Sequence, residues 1–360
     1  MSEPQIKVLV VDDSAYSRQT IKKMLETDPN IDVIGVAVDG IDAMAKTLRL
    51  RPDLITLDFE MPGMDGFSFL RWLMKERPTP VIMVSSYSDT KTVFKALDLG
   101  AVDFIAKPTK RASAELRGIE KDLLSKVNGV KGLRLDRLSR NLQLLNTSEE
   151  ITTEVEPSIG DIDVVAIGAS TGGPAALQII LTRLPHDFAA AVLISQHMPK
   201  GFTGPLAERL DKLSEVSIKE AENGDIIEPG KVFICPGGYH INLKKKGQKC
   251  YVFLKESTDE DKYVPSVNIM MVSVAEHYGN RAVGVILTGM GNDGKKGIVE
   301  IKLRGGYTIA ESEETAVVFG MPAEVINTGA IDKVIPLTEI PIDLINVVKS
   351  SYESRPRGKN

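Results

Sequence analysis

The sequence predicts an α/β protein of two doubly wound domains: a five-stranded parallel domain first, then a mostly parallel domain carrying an antiparallel hairpin. Three observations lead there. Short apolar runs alternate with amphipathic segments over about the first 125 residues and again from 161 onward, the pattern of βα repetition around a parallel sheet. Between 128 and 160 the alternation gives way to Ser, Asn, Thr, Glu and basic residues, a linker composition. The 360 residues also exceed the size at which one core usually keeps growing.

In the first domain, residues 1–127, the predicted strands are KVLVV, DVIGVA, DLITLD, VIMVSS and DFIAK. Between and after them lie the helical patterns SRQTIKKMLE, IDAMAKTLRL, GFSFLRWLMKE, TKTVFKALDLG and ELRGIEKDLLSKV. The linker, 128–160, contains RLDRLSRNLQLL, whose leucines fall at helical spacing and predict a short helix. In the second domain, 161–350, the strands VVAIGA, AAVLISQ, VSIKEA, KVFI, AVGVILTG and YTIAES are interleaved with the helices PAALQIILTRL, PLAERLDKL, VNIMMVSVAEHYG and GIVEIKLRGG. The β-type runs around the Gly and Lys turn in KVFICPGGYHINLKKKGQKCYVFLK predict the hairpin. The tail RPRGKN is expected to be disordered.

Composition narrows the function. Lys plus Arg number 44 against 49 Asp plus Glu, a formal charge of -5 without a long basic stripe, which argues against nucleic-acid binding. No apolar run approaches the roughly 20 residues needed to span a bilayer. The opening MSEPQIKVLVVDDS lacks the basic flank and cleavage site of a signal peptide. Cys235 and Cys250 are the only cysteines and lack CxxC spacing, which fits a reducing compartment. The expectation is a cytoplasmic, monomeric protein without membrane insertion.

Asp12 and Asp13 close the first strand and Asp58 closes the third, at the carboxyl ends where an open parallel sheet gathers its functional groups. Three converging carboxylates repel one another unless a hard cation joins them, and Mg²⁺ suits an all-oxygen set. Ser85 in MVSS and Lys107 in IAKP end two further strands. Beside a carboxylate, a hydroxyl and an ammonium can bind the oxygens of an arriving phosphoryl group. Lys107 precedes Pro108, a bond that is often cis in such a turn. Any one of these polar residues alone reads equally as a cap or a solvated loop residue. Jointly, VLVVDDS, DLITLDFEMPGMDG, VIMVSS and DFIAKP resemble the receiver domain of two-component response regulators, which is flavodoxin-like. The resemblance implies that Asp58 is the phosphoacceptor and that Asp12, Asp13, Asp58 and a backbone carbonyl at Glu60 hold Mg²⁺. It also implies that Ser85 and Lys107 sense the phosphoryl group and that Phe104 is the aromatic switch, although a buried core Phe is a nearly equal reading.

DVVAIGASTGGPAALQII reads as strand, tight turn and helix, with Gly168 and Gly172 flanking Ser170 in a GxSxG frame. Thr171, Gly172 and Gly173 are expected to begin the helix, bringing free N–H groups near Ser170 that can stabilise an oxyanion. A Gly-rich turn before a helix also cradles nucleotide phosphates, but the spacing is neither GxGxxG nor GxxxxGK[ST]. His197 follows AAVLIS at another strand end, and Asp293 lies in the turn TGMGNDG. Serine, imidazole and carboxylate can serve as nucleophile, base and orienting acid. The other histidines, His186, His240 and His277, read as surface or cap residues, and Cys235 reads as a small buried hydrophobe. Met270, Met271 and Met290 read as packing residues, and Met321 and Pro322 as walls of the site.

The order Ser, His, Asp departs from that of α/β-hydrolases, where the acid precedes the histidine. GASTGGP, SQHMP, CPGGYH, TGMGNDG and VVFGMP instead resemble the catalytic domain of the chemotaxis protein-glutamate methylesterases. That resemblance implies a triad of Ser170, His197 and Asp293, with backbone N–H groups near Thr171 and Met290 as oxyanion donors and no cofactor for the esterase step. It implies γ-glutamyl methyl esters of chemoreceptors as substrate, glutamine deamidation as a second activity, and the chemotaxis histidine kinase as phosphodonor. From the domain order, the unphosphorylated receiver is expected to cover the crevice around Ser170 and phosphorylation of Asp58 to release it. The rival readings are a response regulator with a non-catalytic, partner-binding output domain and a transcriptional regulator. For the latter the sequence offers no helix-turn-helix and no basic recognition helix.

Overall fold

The computed structural model describes residues 4–86, 90–107, 119–129, 135–137, 140 and 162–353. It divides into two compact units, Met1–Leu142 and Gln143–Asn360. Pro108, the tail from Arg355 and nearly all of the expected linker lie outside the described residues. Of the expected linker helix, Leu135–Arg137 and Arg140 are described and are helical.

The first unit contains β1 (Ile6–Val11), β2 (Ile31–Ala37), β3 (Leu54–Leu57), β4 (Val81–Ser86) and β5 (Asp103–Lys107). They pair in parallel in the order β2-β1-β3-β4-β5. Val8 to Val11 and the whole of β3 are buried on both faces, which is why these stretches are apolar apart from Thr56. The helices are α1 (Ala15–Leu25), α2 (Gly40–Leu50), α3 (Gly66–Glu76), α4 (Thr90–Asp98) and α5 (Glu120–Asn128). Ser14, Asp39 and Asp65 cap the first three, each side chain accepting a backbone N–H three residues on, a contribution of about 1 kcal/mol apiece. The chain leaves β1 in one direction toward β2 and returns on the other side at β3. The carboxyl ends of β1 and β3 therefore flank the point where the strand order reverses.

The second unit has a seven-stranded sheet in the order β14-β13-β12-β6-β7-β9-β8, all pairs parallel. Its strands are β6 (Val164–Ala169), β7 (Ala191–Gln196), β8 (Ser217–Glu220), β9 (Lys231–Ile234), β12 (Ala282–Ile286), β13 (Tyr307–Glu311) and β14 (Lys333–Ile335). The expected hairpin is a separate sheet, β10 (Tyr239–Lys246) against β11 (Lys249–Glu256). The preceding KVFI is β9 and belongs to the parallel sheet. Among the described residues six α-helices accompany the strands: α6 (Gly173–Leu181), α7 (Thr203–Asp211), α8 (Val267–Tyr278), α9 (Lys295–Leu303), α10 (Met321–Ile326) and α11 (Ile340–Glu353).

Helix α8 is the centre of the core. Val267, Met270, Met271 and Val274 are fully buried in one cluster with Ile241, Leu243 and Val252 of the hairpin and with strand residues of the sheet. Each such side chain contributes about 1.5–3 kcal/mol by leaving water, so the hairpin and α8 hold each other in place. Gly168 is required by the same packing, because a Cβ there would stand 2.3 Å from Val267 Cγ1. The strand β6 sits between β12 and β7, and the loops after all three open at one place.

Candidate active site

Three strand ends meet around Ser170. The backbone beyond β6 is pinned on both sides, Ser170 N–H donating to the Thr288 carbonyl at 3.1 Å and Ser170 C=O accepting from Gly173 N–H at 2.8 Å. Helix α6 begins at Gly173, with Gly172 left-handed at φ 78°, so Thr171 and Gly172 form the turn and are not the first helical residues. Gly289, in the loop after β12, lies against Ser170: a Cβ there would stand 2.7 Å from Ser170 Cβ and 2.6 Å from Met321 Sδ. That contact puts buried Met321 beside Gly289. Met290 is half-buried, and among the described residues its N–H has no acceptor.

His197 continues β7, its N–H donating to Ala169 C=O at 3.0 Å, which brings it alongside the strand that ends at Ser170. Its Nε2 lies 2.9 Å from Asp293 Oδ2. The same oxygen accepts Val267 N–H at 2.7 Å, while Oδ1 accepts Asn268 N–H at 2.9 Å, Gly294 N–H at 3.1 Å and Ser266 O–H at 3.2 Å. Asp293 thus sits on the N-terminus of α8, where unpaired N–H groups and the helix dipole favour a negative charge. Burial alone would push the carboxyl up, but the His197 bond and charge and the Asn268 and Val267 N–H groups hold it below the ordinary Asp value. With Nε2 committed to a carboxylate, Nδ1 is the nitrogen left to accept a proton.

Several contributors were not legible in advance. Gln196, 2 % exposed, donates from Nε2 to the carbonyls of both Ser170 (2.9 Å) and His197 (3.1 Å), tying the two strand ends together. Among the described residues its buried Oε1 has no partner. Thr288 Oγ1 donates to Thr171 C=O at 2.9 Å, and Thr288 N–H is held by the buried carboxylate of Glu311 at 2.7 Å. Tyr263 stacks on the His197 ring, with centroids 5.1 Å apart and planes 9° from parallel. Of these, only Gln196 carried a sequence signal, its place beside His197 at the end of an apolar strand. Of the histidines set aside, His186 is exposed and His277 bonds the Ser273 carbonyl. His240 departs from the surface role expected of it: it is wholly buried, its Nδ1 accepts the Ser266 N–H at 2.9 Å, and its Nε2 lies 3.4 Å from Asp261. Ser266 and Asp261, both on the loop before α8, lie against its two ring nitrogens. Cys235 is buried as expected, and its thiol is pushed well up by burial.

In the first unit, Lys107 Nζ bridges Asp12 Oδ2 (2.6 Å) and Asp58 Oδ2 (2.7 Å). Asp58 Oδ1 accepts Phe59 N–H at 2.8 Å and the N–H of exposed Glu60 at 3.4 Å. Arg18 clasps the carbonyls of Asp12 (2.7 Å) and Asp13 (2.8 Å). Ligand oxygens of Asp12, Asp13 and Asp58 lie within 4.8 Å of one another. Burial pushes the Asp12 carboxyl up, and the Asp58 charge adds to that against the pull of Lys107. The three carboxylates thus carry more negative charge than one ammonium balances, and they fit a hard divalent cation. Burial alone would lower the Lys107 ammonium, but Asp58 and Asp12 outweigh it and raise it. Ser85 pairs through its backbone with Ala106, and its side chain lies outside the described residues. Phe104 is 3 % exposed, its ring 5.4 Å from Lys126 Nζ.

A flavodoxin-like parallel unit with a carboxylate cluster at its reversal point, followed by an α/β unit that gathers serine, imidazole and carboxylate at its own, defines a response regulator with a hydrolase as its output. Residues 8–117 match the response regulator receiver domain family and 165–344 match the CheB methylesterase family. Protein-glutamate methylesterase/protein-glutamine glutaminase 3 of Geobacter sulfurreducens is 48% identical, over 95% of this chain and 97% of its own. The enzyme of that name from Thermotoga maritima is 43% identical over 97% and 100%. The crystal structure of the Thermotoga maritima CheB methylesterase catalytic domain superposes with TM-score 0.51 at 46% identity, covering 52% of this chain and all of that one. The chain belongs to the chemotaxis protein-glutamate methylesterase/protein-glutamine glutaminase family. Among the described residues no helix is long and apolar enough to cross a membrane.

Proposed function

We propose that Ser170, His197 and Asp293 hydrolyse γ-glutamyl methyl esters, and the corresponding glutamine amides, on cytoplasmic segments of chemoreceptors, and that phosphorylation of Asp58 raises that activity. The observation that carries the reading is the bond from His197 Nε2 to Asp293, a carboxylate itself fixed on the α8 N-terminus. It fixes the imidazole tautomer, leaving Nδ1 to act as base toward Ser170 at the neighbouring strand end. Ser170 Oγ attacks the acyl carbon as Nδ1 takes its proton, and the oxyanion is met by the N–H groups of Thr171 and Met290. The proton passes to the departing methoxide or amide nitrogen, releasing methanol or ammonia. Water, deprotonated by the same imidazole, then cleaves the acyl-enzyme to the free γ-carboxylate and restores Ser170.

Residues 1–127 act as the receiver, 128–160 as the linker and 161–350 as the catalytic domain. Asp12, Asp13, Asp58 and the Glu60 carbonyl would hold Mg²⁺, which would supply charge neutralisation for phosphoryl transfer from a chemotaxis histidine kinase. Lys107 and Ser85 bind the phosphoryl oxygens. The Lys107 bridge between Asp12 and Asp58 supports its role, because a phosphoryl group on Asp58 must re-form that contact. The test is methanol release from methylated receptor membranes with Mg²⁺ and a small phosphodonor. Release by the native protein that rises with the donor, and a rise absent in Asp58→Asn, supports the proposal. Release that never depends on Asp58 sinks the regulatory part.

A further inference from the structure

The aromatic ring packed on the proposed base has no part in the chemistry so far. Tyr263 is half-buried in the segment that leads into α8. Its ring lies nearly parallel to the His197 imidazole, centroids 5.1 Å apart at 9°. Its hydroxyl donates to Asn292 Oδ1 at 3.1 Å and accepts the Asn292 N–H at 3.4 Å. The fit to the next residue is close: Gly291 is left-handed at φ 86°, and a Cβ there would stand 2.4 Å from the phenol oxygen. The phenol is therefore clamped to the loop that supplies Met290 on one side and Asp293 on the other, while its ring lies against the imidazole.

We propose that Tyr263 is a positioning residue for the esterase reaction, holding the His197 ring in its Asp293-bonded orientation and favouring the imidazolium formed when Ser170 attacks. The proposal rests on the triad reading above. Two physical effects act together. A flat ring against one imidazole face blocks rotation about the last side-chain torsion, and that torsion is broad when unsupported. The negative face of an aromatic ring also attracts a cation held over it. Two charged groups lie against this pair: Asp293 from the loop after β12, and Lys262, whose Nζ is 4.9 Å from the Tyr263 centroid, from the segment before α8. Asp261 on that same segment turns instead to His240 of β10. Lys262 opposes the imidazolium and Asp293 favours it, so removing the ring changes the balance at His197 without removing either charge.

The ring and the hydroxyl separate cleanly by substitution in the full-length protein. Tyr263→Phe keeps the stack and loses the clamp to Asn292; Tyr263→Ala loses both; Tyr263→Trp restores a stacking face. Two readouts are taken on variants with native melting temperatures. With four histidines in the chain, His197 can be followed by NMR in protein carrying labelled histidine, the His197→Gln spectrum giving the assignment. Ala leaves the imidazole free to rotate, read as changed shifts and line widths of the His197 ring resonances, and Phe and Trp keep them near native. In methanol release, Ala lowers kcat by about ten- to a hundredfold, the cost of a misplaced catalytic group, with KM nearly unchanged.

An Ala variant with native His197 resonances and native kcat overturns the proposal. So does a rise in KM alone, which assigns Tyr263 to substrate contact, and so does a Phe variant as impaired as Ala, which assigns the effect to the hydroxyl. If the native protein releases no methanol, the esterase reading fails, and the His197 resonances still decide whether the ring holds the imidazole.

Discussion

Replacing Asp293 by Asn tests the charge and the tautomer of the proposed triad in one step. In the native site, Oδ1 receives three donors, from Ser266, Asn268 and Gly294, and Oδ2 receives two, from Val267 and His197. An asparagine has one oxygen. Placing it at the three-donor position turns the NH₂ toward His197 Nε2, which must then accept, so the imidazole proton moves to Nδ1 and the base is lost. The opposite orientation keeps the tautomer but sets the NH₂ against three donors, and is the worse of the two. The expected loss in kcat is about 10⁴-fold, the size seen where an orienting Asp becomes Asn in a serine-hydrolase triad, or about 5 kcal/mol of transition-state stabilisation. Stability falls as well. Val267 N–H loses its acceptor at a cost of about 1–3 kcal/mol, and the α8 N-terminus loses its anion at a cost of up to about 2 kcal/mol.

The pH dependence has a definite sign. Because the folded Asp293 carboxyl is held below its ordinary value, it stabilises the fold above the unfolded pKa of about 3.9, and that contribution disappears as pH falls through the lower folded value. The Asn variant lacks this acid-sensitive portion. The assays are methanol release at pH 7 and melting temperature from pH 7 to 3. A folded Asn variant retaining more than about a tenth of native kcat would refute the reasoning, since a tautomer switch costs far more than tenfold.

Two further outcomes follow from the contacts described. Mg²⁺ at ten times its dissociation constant should stabilise the receiver by about 1.4 kcal/mol, read as a rise in melting temperature that Asp12→Asn or Asp58→Asn removes; an equal rise in those variants would place the ion elsewhere. Gly289→Ala should cut kcat by on the order of 10²-fold, because the new methyl group meets Ser170 Cβ at 2.7 Å and Met321 Sδ at 2.6 Å. A Gly289→Ala variant with native kcat would mean that the loop moves aside freely.

How much of this was readable in the chain depends on how local the cause was. Asp12, Asp58, Ser170 and His197 each end an apolar run, and an open parallel sheet exposes such residues on one edge, so their roles as candidates were legible from order alone. The separate hairpin was legible for the same reason, since its two β runs surround an obvious turn. The sheet position of KVFI was not, because the same four residues suit a hairpin strand or a parallel one, and only pairing with β7 and β8 decides. His240 and Tyr263 depend on contacts 26 and 29 residues away, with Ser266 and Asn292. Nothing in STDEDKYVP marks a residue that will stack on an imidazole. Gln196 and Glu311 are polar side chains inside strand-like sequence, and their value lies in the carbonyls and N–H groups they satisfy, which tertiary packing alone supplies.

The most direct test of the account is an acid-quenched turnover of methyl-esterified receptor by native protein and by Ser170→Ala, scoring methanol released and the mass of the peptide that contains residue 170. The account predicts methanol from the native protein with a transient glutamyl adduct on Ser170, and neither from the variant. Methanol release by Ser170→Ala at the native rate would contradict it.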